Sequence, residues 1–131
     1  GKELAATSYA FKSLVDLGVH TSFGTDSPVE DMAPLPNIYC AVTRQNLRGE
    51  PAGGFHPEEC MDIYAAVDAY TVESAYASFE EKTKGRLLPG YVADLVVLDK
   101  DIFTINPNDI LKTHVDMTMV NGQIVFERNA Q

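Results

Sequence analysis

What this chain has little of bounds it first. It carries two cysteines, Cys40 and Cys60, with no C-x-x-C pair and no dense framework. Reduced thiols of a cytoplasmic protein are therefore the expectation. The longest apolar run, Leu95-Val96-Val97-Leu98, falls far below the roughly 18 residues a membrane span requires. Gly1-Lys2-Glu3-Leu4 lacks a charged start followed by an apolar stretch, so no signal peptide is read there. With no initiator Met, the chain reads as a piece excised from something longer. Basic stretches are missing too: 10 Lys and Arg stand against 19 Asp and Glu, for a formal charge of −9 with the acids spread along the chain. Counterion release from a nucleic-acid backbone has nothing to work with. Anionic membrane surfaces are disfavoured for the same reason. Neither is an expected partner.

Complete active-site signatures are also absent. His20, His56 and His114 are isolated, with no His-x-His, no H-E-x-x-H and no Cys/His pair at zinc spacing. Neither Gly-x-Ser-x-Gly nor a phosphate-binding glycine loop occurs. At 131 residues the chain can hold one domain with a genuine core. It is too short for a whole (β/α)₈ barrel, which needs roughly 200 residues or more.

What is there divides at about residue 84. From Leu4 to Leu17 the apolar residues recur at helical spacings, and Gly18 supplies a stop. Val19 to Phe23 reads as a short strand running into the polar loop Gly24-Thr25-Asp26-Ser27-Pro28, one α-to-β step of an α/β fold. Pro28, Pro34 and Pro36 make an ordered loop of the next stretch, and Ile38 to Leu47 predicts a short helix. Pro57 with Glu58 and Glu59 marks a helix start, placing Cys60, Ile63, Tyr64 and Val67 on one face. Thr71 is the expected N-cap of a helix over Val72 to Phe79. Beyond Lys84, Pro89-Gly90 suits a type II turn, and Asp94 to Asp99 reads as a compact buried strand. Asn121-Gly122 between Val115–Val120 and Gln123–Glu127 predicts a hairpin.

Asp26 is the polar residue that follows the short strand, where α/β folds keep their active sites. Local sequence alone leaves two roles open: a cap bonding the loop amides, or a functional carboxylate. Arg44 is read either as a substrate contact or loop bridge, or as a surface ion-pair residue. His56 either lines a pocket before the Pro57 helix or is a plain loop residue. Asp94 is read as a structural acid bonding turn amides. Ser27 is read as support for the Asp26 loop, since no base is positioned to activate it.

Several runs occur in a fixed order: Gly24-Thr25-Asp26-Ser27-Pro28-Val29, Ala41-Val42-Thr43-Arg44, Thr71 with Ala75, Gly85 through Asp99, and Thr118-Met119-Val120-Asn121-Gly122. In that order they resemble the C-terminal part of the metal-dependent amidohydrolase superfamily, nearest its amidohydrolase 3 branch with formamide deformylase-like members. The resemblance implies an α/β to α+β architecture. Residues 1–84 would close a (β/α)₈ TIM barrel, and residues 85–131 would supply strands of a composite β-sandwich. It further implies hydrolysis of a non-peptide C–N bond, in an amide or N-acyl compound, by metal-activated water. A divalent metal, zinc the expected ion, belongs to the full-length enzyme, and Asp26 matches the family's aspartate that is both metal ligand and general base. The family's other ligands, a His-x-His pair, a carboxylated lysine or acid and two further histidines, lie upstream of this chain. The segment alone is thus expected to be inactive and to bind no metal tightly. A small amide-like substrate and homo-oligomers are the expected partners. The competing reading is a stand-alone, non-catalytic binding or regulatory domain derived from such an enzyme.

Overall fold

The computed structural model describes residues 1–128. Its elements are α1 (Lys2–Ala5), α2 (Phe11–Asp16), α3 (Pro34–Thr43), α4 (Ile63–Tyr70) and α5 (Val72–Ala77), followed by β1 (Leu95–Leu98), β2 (Val115–Val120) and β3 (Gln123–Glu127). Two 3₁₀ turns, Pro57–Glu59 and Pro107–Lys112, join the helices and the strands respectively.

The single helix expected from Leu4 to Leu17 is two helices. The Thr7 and Ser8 hydroxyls donate back to the Leu4 carbonyl, competing with helix propagation, and Tyr9 takes a left-handed conformation at φ 55°. The stop at Gly18 forms as expected. Gly18 sits at φ 77°, its amide donates to the Val15 carbonyl at 2.9 Å, and the Val19 amide donates to Leu14 at 3.0 Å. Those two bonds are a Schellman closure.

Val19–Phe23 is not a strand. A parallel strand needs hydrogen-bonded neighbours on its flanks, and the only strands among the described residues lie after residue 94. The segment instead runs as irregular chain along α4 and α5. The Phe23 amide donates to the Ala69 carbonyl at 3.0 Å, and the Ser22 and Ser74 hydroxyls meet at 3.1 Å. His20 Nδ1 lies 2.7 Å from the Glu73 carboxylate while its ring stacks on Tyr76.

α3 is the central element, packing on α4 and on the Pro107–Lys112 turn. Tyr39 and Ile110 are each 1% exposed, with Ile38, Met61 and Ala66 completing the core around them. α3 begins at Pro34, four residues earlier than its apolar pattern suggested, because proline is preorganised for a first helical turn. The helix expected from Pro57 is only a 3₁₀ turn there; α4 starts at Ile63, where the Asp62 side chain accepts the Tyr64 amide at 2.8 Å. Cys60 therefore lies outside that helix. Thr71 does precede α5, but its hydroxyl donates backwards to the Val67 carbonyl and supplies no side-chain cap.

The three strands form an antiparallel sheet in the order β1-β2-β3. Gly90 at φ 90° and a 3.0 Å bond from the Tyr91 amide to Leu88 build the expected turn at Pro89-Gly90. Asn121 at φ 50° and Gly122 at φ 76° build the hairpin turn, whose two left-handed residues suit the right-handed twist of the strands. The strand read as buried is not: Val96 is 56% exposed, and Val97 and all of β3 are exposed too. The helix following Cys60 packs against α3 and α5, leaving the sheet uncovered where a second layer would bury it.

Candidate functional site

Asp26 stands at the tip of the loop after the Val19–Phe23 segment. It adopts φ 52°, a left-handed conformation that aspartate tolerates better than most residues, and its carbonyl accepts the Val29 amide at 2.8 Å. Its side chain is solvent-exposed and, among the described residues, accepts no hydrogen bond. The capping role is thus carried by its backbone, while the carboxylate is left open.

Arg44 ends α3 in a left-handed conformation at φ 56°. Its Nε donates to the Phe55 carbonyl at 2.8 Å, one terminal nitrogen to Tyr9 at 2.6 Å and the other to Ser8 at 3.1 Å. The guanidinium also lies over the Phe55 ring, 5.6 Å from its centroid. One cation thereby joins the chain before α2, the end of α3 and the glycine-rich loop. Gly54 makes this closure possible, since a Cβ there would stand 2.5 Å from the Thr43 carbonyl oxygen.

His56 precedes the 3₁₀ turn with φ 50°, and its Nδ1 lies 2.9 Å from the Glu58 carboxylate. A backbone hydrogen bond first, then this ring contact, holds the Glu58 carboxyl below its ordinary range.

A cavity of about 390 Å³ opens between α2, α3, α4 and the Phe55 loop. The aromatic residues Tyr9, Phe11, Phe23, Phe55 and Tyr70 line it together with Met61. Arg44 lines it; Asp26 and His56 do not, although Gly24, two positions before Asp26, does. The structure therefore does not gather the three sequence-derived candidates into one pocket. It brings in Asn37 and Tyr70 instead, whose side chains meet at 2.9 Å. No spacing in the sequence marks that pair, because it joins the first turn of α3 to the last residue of α4.

Two ionic groups in the wall are internally satisfied. The Arg44 donors go to carbonyls, and Glu59 accepts both the amide and the hydroxyl of Ser13, which hold its carboxyl below its ordinary range. Both cysteines are free thiols, pushed up by burial. Among the described residues no three His, Cys, Asp or Glu side chains converge as metal ligands. A catalytic divalent ion ordinarily takes about three protein ligands, so the donors present here do not hold one by themselves. Among the described residues no helix is long and apolar enough to cross a membrane.

Comparison with known proteins extends these observations to almost the whole chain. The sequence profile of the amidohydrolase family matches residues 1–126. The chain is 35% identical to the protein YtcJ of Bacillus subtilis strain 168, over 98% of its own length and 24% of YtcJ. It is 29% identical to an N-substituted formamide deformylase of Arthrobacter pascens, over 92% of the chain and 22% of that enzyme. Among solved structures, an uncharacterized metal-dependent hydrolase from Pyrococcus horikoshii OT3 superimposes with a TM-score of 0.70 at 30% identity. That match covers 82% of the chain and 22% of the hydrolase. The chain spans about a quarter of the length of the relatives it matches.

Proposed function

This chain belongs to the amidohydrolase family, and from that premise we propose that it is the C-terminal part of a hydrolase acting on a non-peptide C–N bond. Residues 1–84 then close the barrel of the full-length protein, and residues 85–131 contribute strands to a sandwich completed by other parts of it. The substrate class is an amide or N-acyl compound. Similarity to a formamide deformylase supports that class, with deamination as the nearest chemical alternative.

The observation that carries the reading is the open Asp26 carboxylate, presented at a loop tip and engaged by no donor among the described residues. A carboxylate so placed is suited to take a proton from an attacking water and to return it to the departing nitrogen. Any divalent ion would need ligands from outside this chain, and the 131-residue segment alone is expected to be inactive. Arg44 acts on this reading by fixing the loops that flank the substrate.

Asp26→Asn in the full-length protein tests the assignment. Asparagine also tolerates the left-handed backbone, so the fold is retained while the proton acceptor is lost. The expected fall in kcat is on the order of 10²- to 10⁴-fold. Near-wild-type turnover would remove Asp26 from the chemistry.

A further inference from the structure

Asn121-Gly122 closes the β2–β3 hairpin, and the same two residues are a reactive pair. Asn121 is the only asparagine in the chain that a glycine follows; isoleucine, leucine, proline, aspartate and alanine follow the others. The distinction is chemical. A backbone nitrogen can attack the side-chain carbonyl carbon of the asparagine before it. Glycine, having no Cβ, gives that nitrogen the least hindered approach and the freest backbone. Asn121 is exposed, so water reaches the site.

The folded turn nevertheless holds the reacting atoms apart. Asn121 sits at φ 50°, and Val120 pairs with Gln123 across the loop. A non-glycine residue at such a φ is confined to the left-handed region, where ψ is about +30° to +60°. At that ψ the Gly122 nitrogen lies nearly opposite the Asn121 Cβ across the Cα–C bond. Ring closure needs the two nearly eclipsed, so this bond must turn through most of a half circle before attack. Two hydrogen bonds oppose the rotation. The Gly122 amide donates to the Ala93 carbonyl at 3.0 Å, which engages the proton that the attacking nitrogen must lose. The Asn121 amide donates to Asp94 Oδ1 at 2.7 Å, which fixes the residue under attack. Both acceptors belong to the residues just before β1, so the chain entering that strand guards the turn.

We propose that Asn121 is a latent deamidation site, closed in the folded sheet by Asp94 and Ala93 and open when the hairpin frays. In the opened turn the Gly122 nitrogen loses its proton and bonds to the Asn121 Cγ. The Cγ–Nδ2 bond breaks, and the amide nitrogen takes up that proton and leaves as ammonia. Water then opens the cyclic imide at either carbonyl, giving aspartate or isoaspartate; nothing is oxidised or reduced. Either product places a new negative charge in the turn that the Asp94 carboxylate holds, where like charges repel. The isoaspartyl product also lengthens the main chain by one carbon, which the Val120–Gln123 register does not accommodate. Conversion is therefore one-way and loosens the β2–β3 end of the sheet. The site uses only this turn and is independent of the hydrolase reading.

The test follows Asn121 by peptide mass spectrometry in the full-length protein, kept folded or held in urea in the same mildly alkaline buffer. Enzymatic methyl transfer to isoaspartate gives a second readout. In urea, Asn121 should convert before any other asparagine. In the folded protein its conversion should be about thirtyfold slower, the worth of two hydrogen bonds lost on opening. Asp94→Ala removes one of them and should speed the folded-state conversion about fivefold. Asp94→Asn keeps an acceptor and should stay near the wild-type rate; circular dichroism establishes that each variant is folded. Equal rates in folded and unfolded wild-type protein, another asparagine converting first in urea, or Asp94→Ala converting no faster than wild type would each overturn the proposal. The wild-type comparison needs no variant, so it decides the matter even where Asp94→Ala fails to fold.

Discussion

Asp94 accepts the backbone amide of Asn121 at 2.7 Å, so the acid that precedes β1 holds the hairpin turn between β2 and β3. A second bond, from the Gly122 amide to the Ala93 carbonyl at 3.0 Å, runs alongside it. Asp94 is thus the structural acid its sequence context indicates, but the turn it serves is 27 positions away. Asp94→Ala should destabilise the chain by about 1 kcal/mol, the ordinary worth of one hydrogen bond to backbone. Asp94→Asn, which keeps an acceptor, should recover much of that loss. Urea denaturation of the two variants checks the difference, and equal losses would make the contact incidental.

Gly85 opens the Gly85–Asp99 run for a steric reason. At φ 82°, a Cβ there would lie 2.8 Å from the Thr71 carbonyl oxygen and 3.0 Å from both the Ala75 Cβ and the Val72 Cα. The chain leaving α5 can pass its first turn only without a side chain. Gly85→Ala combines that collision with an unfavourable backbone conformation, and should cost about 2 kcal/mol or more. A thermal midpoint unchanged from wild type would refute the close approach.

Acid should weaken the fold through a definable set of carboxylates. Asp99 accepts the His114 amide at 2.8 Å and the His114 ring at 3.1 Å, with Arg128 3.4 Å away. The backbone bond is the largest influence, and together these contacts hold the Asp99 carboxyl below its ordinary range. Ser13 does the same for Glu59, and Lys84 for Glu80. A carboxyl lowered in the folded state binds its proton more readily once unfolded. Its stabilising contribution is therefore complete above the unfolded value, about pH 4, and disappears as pH falls through the folded value. Denaturation midpoints measured from pH 7 to pH 3 should fall in that window. Asp99→Asn should lower the midpoint at pH 7 and shallow the acid slope; parallel slopes in both proteins would exclude Asp99.

Exposed apolar surface should drive self-association. Val96, Val120, Ile124, Val125 and Phe126 are exposed on the sheet, and Phe79 beside α5 is 93% exposed. Edges and apolar faces of this kind are association templates, while the charge of −9 favours soluble assemblies over precipitates. Sedimentation at high micromolar concentration should show particles larger than one chain. A strictly monomeric particle with cooperative unfolding would mean that the surface is self-sufficient.

Turns built on glycine were readable from the sequence, because their cause lies in the torsional freedom of one or two residues, whereas the Pro57 helix start and the Thr71 cap were not. Gly18 stops α2, Pro89-Gly90 turns, and Asn121-Gly122 closes the hairpin, each through backbone conformations that those residues adopt at low cost. The acidic balance and the ordered runs around Asp26, Arg44 and Gly85 are likewise properties of the sequence itself. Val19–Phe23 shows the limit. Its composition is β-prone, yet strand formation depends on partners that no composition supplies, and here the Phe23 amide bonds to α4 instead.

The sequence by itself determined the glycine turns, the helix stop at Gly18, the family-like runs and the candidacy of Asp26. Tertiary structure alone decided that Arg44 spends its donors on three carbonyls, that His56 stays outside the cavity, and that Asn37 meets Tyr70 within it. The physical reason is range. A turn is governed by the torsional preferences of neighbouring residues, whereas a cavity and the Asn37–Tyr70 contact in its wall exist only after α3 and α4 have packed against each other.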